Sequence, residues 1–258
     1  MKLATWNVNS IRARTDRVVD WLSRAEPDVL CMQETKVVDD DFPTDEVQRL
    51  GYAVAMAGQK TYNGVAIASR LPMTDVRVGL HDDGPEAEKR LISASIAGVR
   101  VYSAYVPNGK SIENASFKQK LRWLARLRET LEKQVAKPER VAVCGDFNVA
   151  PDERDVFDVE RMRGQIHFHP EEHAALGALL DWGLVDAYRL HHAEAGRFSW
   201  WDYRGGGVRK NEGLRIDLVL VSRDLGGRCR SAEIDADERM RDKPSDHVPV
   251  LVELAEVG

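Results

Sequence analysis

Apolar and polar positions along the chain separate short buried strands from amphipathic helices. Lys2 to Val8 reads as a strand; Ser10 follows as a prospective N-cap, and Ile11, Val18, Val19, Leu22 and Ala25 recur at helical spacing. Pro27 stops that helix, and Asp28 to Met32 reads as a buried strand. Gly64 to Ser69, Leu91 to Ile96 and Val99 to Val106 are further strand candidates. Phe117, Leu121, Leu124, Leu131 and Val135 form one stripe of a long helix whose other face carries bases. Val141 to Cys144 is a short apolar strand. Pro170 with Glu171 and Glu172 opens another helix, because proline suits the first helical position and acids suit the positive end of the dipole. Ile216 to Val221 and Val248 to Leu254 are the last strands. Strands separated by helices predict an α/β protein with sheet in its core.

Composition narrows this picture without redirecting it. With 43% apolar and 31% charged residues, the 258-residue chain has the make-up of a folded globular protein and not of a disordered one. No apolar run approaches the ~20 residues of a membrane span, and no signal-peptide pattern follows Met1. Without a linker or repeat, residues 1–258 read as one domain. Cys31, Cys144 and Cys229 are too few and too scattered for a disulfide framework or a zinc site; they fit a reducing cytoplasm. The net charge of −5 argues mildly against generic polyanion binding, but it hides local asymmetry. Between Gly109 and Arg128 six bases (Lys110, Lys118, Lys120, Arg122, Arg126, Arg128) face one acid, Glu113. On charge alone this is a solvated helix face; the alternative is a surface for a polyanion.

The candidate chemistry sits where apolar strands begin or end. Asn7 closes the first strand, Glu34 follows the second, and Asp146 and Asn148 follow Val141 to Gly145. Asp217 lies inside Leu214 to Val221, and Asp246 and His247 directly precede Val248. Sites of open α/β sheets form at strand ends. A carboxylate inside a buried strand is costly unless paired, and His247 is the natural partner for Asp217. The remaining carboxylates would repel one another without a cation. Glu34, Asp146 and Asp246, with the amides of Asn7 and Asn148, form an oxygen donor set suited to Mg²⁺ or Mn²⁺ and not to zinc. Such an ion commonly works on phosphates, so the pattern points to metal-assisted phosphoester hydrolysis. Singly, each motif has a structural explanation: Glu34 pairing with Lys36, an Asx-turn at Asp146, a loop cap at Ser245. Five such sites in one chain weigh against that explanation. Adjacent Ser245, Asp246 and His247 cannot readily form a serine-hydrolase chain, and no Gly-x-Ser-x-Gly elbow or phosphate-binding Gly loop occurs. His81, His167, His169, His173, His191 and His192 lack convincing metal spacing and read as surface or loop residues.

Seven motifs, in order, resemble the exonuclease III family of abasic-site endonucleases. They are Ala4-Thr-Trp-Asn-Val-Asn-Ser-Ile-Arg, Gln33-Glu-Thr-Lys, Asn63-Gly-Val-Ala-Ile, Tyr105-Val-Pro-Asn-Gly, Gly145-Asp-Phe-Asn-Val-Ala-Pro, Leu214-Arg-Ile-Asp and Ser245-Asp-His-Val-Pro. The resemblance spans residues 3 to about 254. It implies a four-layer α/β sandwich: two packed mixed β-sheets flanked by helices, with the site at one edge. It implies Mg²⁺-dependent cleavage of duplex DNA 5′ to abasic sites, leaving a 3′-hydroxyl, with 3′-to-5′ exonuclease and 3′-phosphodiesterase activity, by a cytoplasmic monomer. On this resemblance Glu34 is the main metal ligand, with Asn7 adjacent and Asp246 nearby. Asp146 orients or deprotonates the attacking water, and Asn148 and Asn108 contact phosphate or water. Asp217 and His247 bind the scissile phosphate as a pair, and Tyr105 supplies a phenol. Trp200, Leu214 and Ile216 would line an apolar pocket for a baseless sugar. Trp201 and Arg204 would insert near the gap, although core packing is the structural reading for one of the two tryptophans. Trp201 stands where many bacterial relatives carry phenylalanine. His167 and His169 fall in a variable segment that bears on the balance between abasic cleavage and 3′ trimming. Two alternatives are a lesion-independent exonuclease and a non-catalytic nucleic-acid-binding regulator. The second would have replaced catalytic residues, whereas all of them here are of the competent type.

Overall fold

Each sheet holds one β–α–β unit with parallel strands, and these two units bring their strand ends to one place. In the computed structural model, which describes residues 1–135 and 140–255, β1 (Lys2–Asn7) and β2 (Val29–Gln33) run parallel and are joined by α1 (Ile11–Ala25). Further on, β7 (Val99–Tyr105) and β8 (Arg140–Asp146) run parallel, with α3 (Ala115–Gln134) between them. Antiparallel neighbours extend both pairs. The chain between them holds α2 (Thr44–Gln48), β3 (Ala53–Ala57), β4 (Val65–Ser69), β5 (Met73–Val78) and β6 (Leu91–Ile96). Beyond them come α4 (Val159–Met162), α5 (Pro170–Trp182), β9 (Leu184–Asp186), α6 (Gly207–Lys210), β10 (Asp217–Ser222), α7 (Arg223–Gly226), β11 (Cys229–Ile234) and β12 (Val250–Leu254). The result is two six-stranded sheets, ordered β11-β12-β1-β2-β4-β3 and β5-β6-β7-β8-β10-β9.

The sheets pack face to face. Leu3, Cys31, Ile67 and Val252 from one interleave with Ile92, Val101, Cys144 and Val219 from the other. Side chains alternate along a strand, so the opposite faces also need cover. α1 covers the first sheet through Val18, Trp21 and Leu22 against Trp6 and Leu30. α3 and α5 cover the second through Leu124, Leu127, Leu131 and Leu179 against Tyr102, Val143 and Leu220. Each fully buried leucine contributes about 1.5–3 kcal/mol. The four-layer α/β sandwich of two mixed sheets is therefore the observed architecture.

Several local expectations change. Ser10 does not cap α1 with its side chain; its backbone is left-handed (φ 84°) and its N–H donates to the Glu34 carbonyl, tying the helix start to the end of β2. Asp217 opens β10 and does not lie within it. Lys120 is not on the solvated face of α3: it is fully buried and paired with Glu172 of α5. α5 starts at Pro170 behind a capping box in which His169 accepts from Glu171 N–H and Glu172 accepts from His169 N–H. Four strands went unread, and they are β3, β5, β9 and β11, the edge strands of the two sheets.

Candidate active site

Strand register assembles the site. Asn7 is opposite Gln33 at the ends of β1 and β2, and Glu34 is the next residue. Tyr105 is opposite Asp146 at the ends of β7 and β8, and Asp146 is opposite Asp217 at the start of β10. His247 arrives just before β12, its N–H donating to Ser245 Oγ (3.2 Å) while the Ser245 hydroxyl donates to the Asn7 carbonyl (2.7 Å). Glu34 and Asn148 hold left-handed backbones (φ 53° and 52°), which aim their side chains inward at about 1–2 kcal/mol each.

The side chains form one connected group. Asn7 Nδ2 donates to Glu34 Oε1 (2.7 Å) and to Asp146 Oδ2 (2.9 Å). The Asn148 N–H donates to Asp146 Oδ1 (2.9 Å). His247 Nδ1 lies 2.8 Å from Asp217 Oδ2, and its Nε2 lies 3.8 Å from Asp146. Ser199, which the sequence did not signal, donates to Asp217 Oδ2 (2.7 Å) and accepts from the N–H groups of Ile216 and Asp217. It holds the carboxylate that holds the imidazole. Asn108 Nδ2 donates to Asn148 Oδ1 (3.0 Å).

Charge in this group is poorly balanced. Burial alone would lower the His247 pKa, but Asp217 and Asp146 overcome it and raise it to about 10, so the ring is an imidazolium at neutral pH. Burial raises Asp146; His247 opposes the rise, and Asp217 and Glu34 reinforce it, to about 7. Glu34 is lowered: burial acts upward, but Lys36 at 2.7 Å and the Asn7 amide prevail. Tyr105 is raised by burial and by the negative charge of Glu34 and Asp146, which keeps its phenol protonated.

Glu34, Asp146 and His247 each offer a ligand atom, all within 4.8 Å of one another. The donor set fits a hard cation beside Glu34 and Asp146: the two carboxylates share one amide donor, and the charge of Glu34 adds to the rise at Asp146. A protonated His247 has no lone pair for a cation, and its Nε2–H is a donor suited to an anion. Two expected ligands stand differently. Asn7 presents its amide nitrogen, because its oxygen accepts from the Asn9 N–H (3.0 Å). Asp246 lies outside that group, with Oδ1 taken by Asn9 (2.9 Å) and Oδ2 by the Trp200 indole (3.1 Å).

The substrate-side residues separate. Trp200 is half-buried beside Leu214 and Ile216, but these two are 2% exposed and closed into a small cluster with Ala150, Val156 and Phe168. Trp201 does not protrude: it is buried against Phe198 and Val248, and its indole donates to Asn211, so it is the tryptophan that packs. Arg204 is exposed and pairs with Asp202 (3.1 Å). His167 is no surface residue. Its ring is buried, held by the Asn148 carbonyl (2.7 Å), and stands 6.4 Å from the Trp200 ring. Burial, with the Lys120 charge, lowers its pKa to about 3, so it is neutral. Its left-handed backbone (φ 73°) is invisible in sequence for a residue other than glycine.

From Tyr105 and Asn108 a cleft of about 630 Å³ runs over the start of α3, lined by Tyr62, Arg90, Lys110 and Arg122 among others. Arg126 is committed to Asp82 and Asp83, and Arg128 to Glu132. Among the described residues Lys110, Lys118 and Arg122 have no carboxylate partner.

Comparisons with known proteins agree with this geometry. The endonuclease/exonuclease/phosphatase family matches residues 4–247. Exodeoxyribonuclease III of Haemophilus influenzae is 37% identical over 266 residues, covering 98% of this chain and 100% of that protein. The structure of an AP endonuclease from Archaeoglobus fulgidus superposes with a TM-score of 0.95 at 40% identity, covering 99% of this chain and 100% of that one. A 3′ phosphatase from Neisseria, bound to a product DNA hairpin, superposes at 0.96 with 38% identity and the same coverage.

Proposed function

This chain belongs to the endonuclease/exonuclease/phosphatase family, and on that premise we propose that it repairs duplex DNA by hydrolysing phosphoesters at abasic sites and at blocked or intact 3′ ends. It is a nuclease of a metal-dependent family. The observation that carries the reading is the Glu34–Asp146–His247 group, with His247 braced by Asp217, where both sheets end.

Glu34 would hold Mg²⁺, or Mn²⁺ in its place, beside Asp146, with Asp246 nearby as a further acid. When bound, the ion supplies Lewis-acid polarisation of the phosphoryl oxygen and neutralises developing charge. The chain's own residues do the rest. His247, protonated and oriented by Asp217, donates to a phosphoryl oxygen as charge builds there. Asp146 accepts a proton from the attacking water, which is why its pKa near neutrality suits a base. Tyr105, whose phenol is protonated in the resting site, bonds the scissile phosphate or gives its proton to the leaving oxygen, which departs as the 3′-hydroxyl; the proton taken up by Asp146 restores the phenol through solvent. Asn148 and Asn108, bonded to one another, contact the phosphate. The basic cleft, with Lys110 and Arg122, supports a path for the strand backbone. Internal incision leaves a 3′-hydroxyl and a 5′-deoxyribose phosphate.

The two substrate classes differ in what must enter beside Trp200. An internal abasic sugar carries DNA on both sides, whereas a 3′ terminus ends there. With Leu214 and Ile216 closed off and His167 against Trp200, the balance falls toward 3′ termini. Among the described residues no helix is long and apolar enough to cross a membrane; a monomer in the cytoplasm completes the proposal. A labelled duplex carrying one tetrahydrofuran analogue is compared with a duplex ending in a 3′-phosphate, each with Mg²⁺ and then with EDTA. The expected result is Mg²⁺-dependent release at the 3′ end, faster than a single cut 5′ to the analogue. Faster incision overturns the balance; binding without cleavage of either substrate overturns the catalytic reading.

A further inference from the structure

The buried pair of Lys120 on α3 and Glu172 on the first turn of α5 has no part in the chemistry described above. Both side chains are fully buried and bonded to each other. An ammonium has three donors, and the other two go to main-chain carbonyls: Asn108 O at 3.3 Å and Asn148 O at 2.5 Å. These carbonyls belong to the loops that follow β7 and β8, and they flank the two amides that bond each other. Glu172 is fixed in turn, its second oxygen accepting the His169 N–H at 3.1 Å.

A buried ion pair is weak evidence for stability, because apolar residues of similar volume often replace one without loss. What it does supply is geometry. Asn148 holds a left-handed backbone, a conformation that persists only where its surroundings over-determine it. Lys120 and His167 both donate to its carbonyl, and Lys120 reaches across to Asn108. We propose that Lys120 and Glu172 are a positioning pair that sets Asn108 and Asn148 against Asp146 by gripping the backbone of both loops at once. This rests on the reading of those amides as phosphate contacts.

Lys120→Met alone would strand a buried carboxylate, so the informative variant is Lys120→Met with Glu172→Gln, which removes both charges and keeps volume. On a duplex ending in a 3′-phosphate its kcat falls roughly 10²-fold with its melting temperature retained, as expected of small misplacements at a reacting centre. Adding Asn148→Ala to it then costs much less than Asn148→Ala costs the wild-type enzyme, because the pair acts through that residue. Should that double variant not fold, Lys120→Gln with Glu172→Gln, which is also uncharged and leaves an amide at each position, carries the same cycle. Full turnover in the pair variant, or losses that simply multiply with Asn148→Ala, overturn the positioning role. If Asn148→Ala itself leaves kcat unchanged, the assignment of the amides falls instead.

Discussion

Two buried polar centres lie at this end of the molecule, and they are built on opposite principles. Behind β9 and β10, Asp155 accepts from Arg215 Nε (2.6 Å) and from Arg189, and Arg215 also reaches Asp186 (2.7 Å): two carboxylates against two guanidiniums. At the strand ends, Glu34, Asp146 and Asp217 face the imidazolium of His247, with Lys36 on the outer oxygen of Glu34. In the first centre burial would strip the Arg215 charge, but Asp186 and Asp155 hold its pKa well above the usual value. In the second, burial and like charge push a proton toward Asp146. A compensated centre needs no further partner. An uncompensated one stores repulsion that a cation and a phosphate relieve, and that is the signature of a site.

The difference can be broken from either side. Asp146→Asn is expected to reduce DNA hydrolysis by roughly 10³-fold while its melting temperature stays level or rises, since a repelled charge is gone. Arg215→Met should do the reverse. Leaving buried carboxylates short of a partner costs about 3–5 kcal/mol in urea unfolding, while turnover per folded molecule falls far less than in Asp146→Asn. His167→Gly suits the left-handed backbone and clears the space before Trp200. The ratio of abasic incision to 3′-phosphate release should rise on the order of 10-fold in paired assays. The smallest effect is on pH. Asp146 must be ionised to act as base, so kcat/KM should rise as pH increases through about 7, and Mg²⁺ should shift that limb downward by favouring the carboxylate. His247, held near 10, keeps its proton throughout that range; its contribution to stability is complete below its ordinary value and is lost as pH rises through about 10.

Legibility followed burial. The eight central strands are apolar runs, most of them buried on both faces, and all eight could be read from the sequence. The four edge strands could not: Met73–Val78 is largely exposed, Cys229–Ile234 is half-buried, and both carry charges, as edges do to resist further pairing. The site residues showed because polar groups at the ends of apolar runs are conspicuous; Asn7, Glu34, Asp146, Asp217 and His247 do meet. What failed to show depends on tertiary context. Lys120 looked like one more surface base until α5 brought Glu172 against it. Ser199 acts through backbone N–H groups and the buried placement of His167 through a carbonyl and a positive φ, none of which leaves a mark on composition or spacing. Trp200 and Trp201 are adjacent in sequence, yet the first borders the site and the second packs with Phe198.

The claim that the uncompensated centre is built for a cation is tested most directly by thermal melting with and without Mg²⁺. A ligand at 100 times its dissociation constant stabilises by about 2.7 kcal/mol. Wild type should therefore melt markedly higher in Mg²⁺, Arg204→Ala should gain equally, and Glu34→Gln should gain little. An equal gain in Glu34→Gln, or none in wild type, would contradict the account.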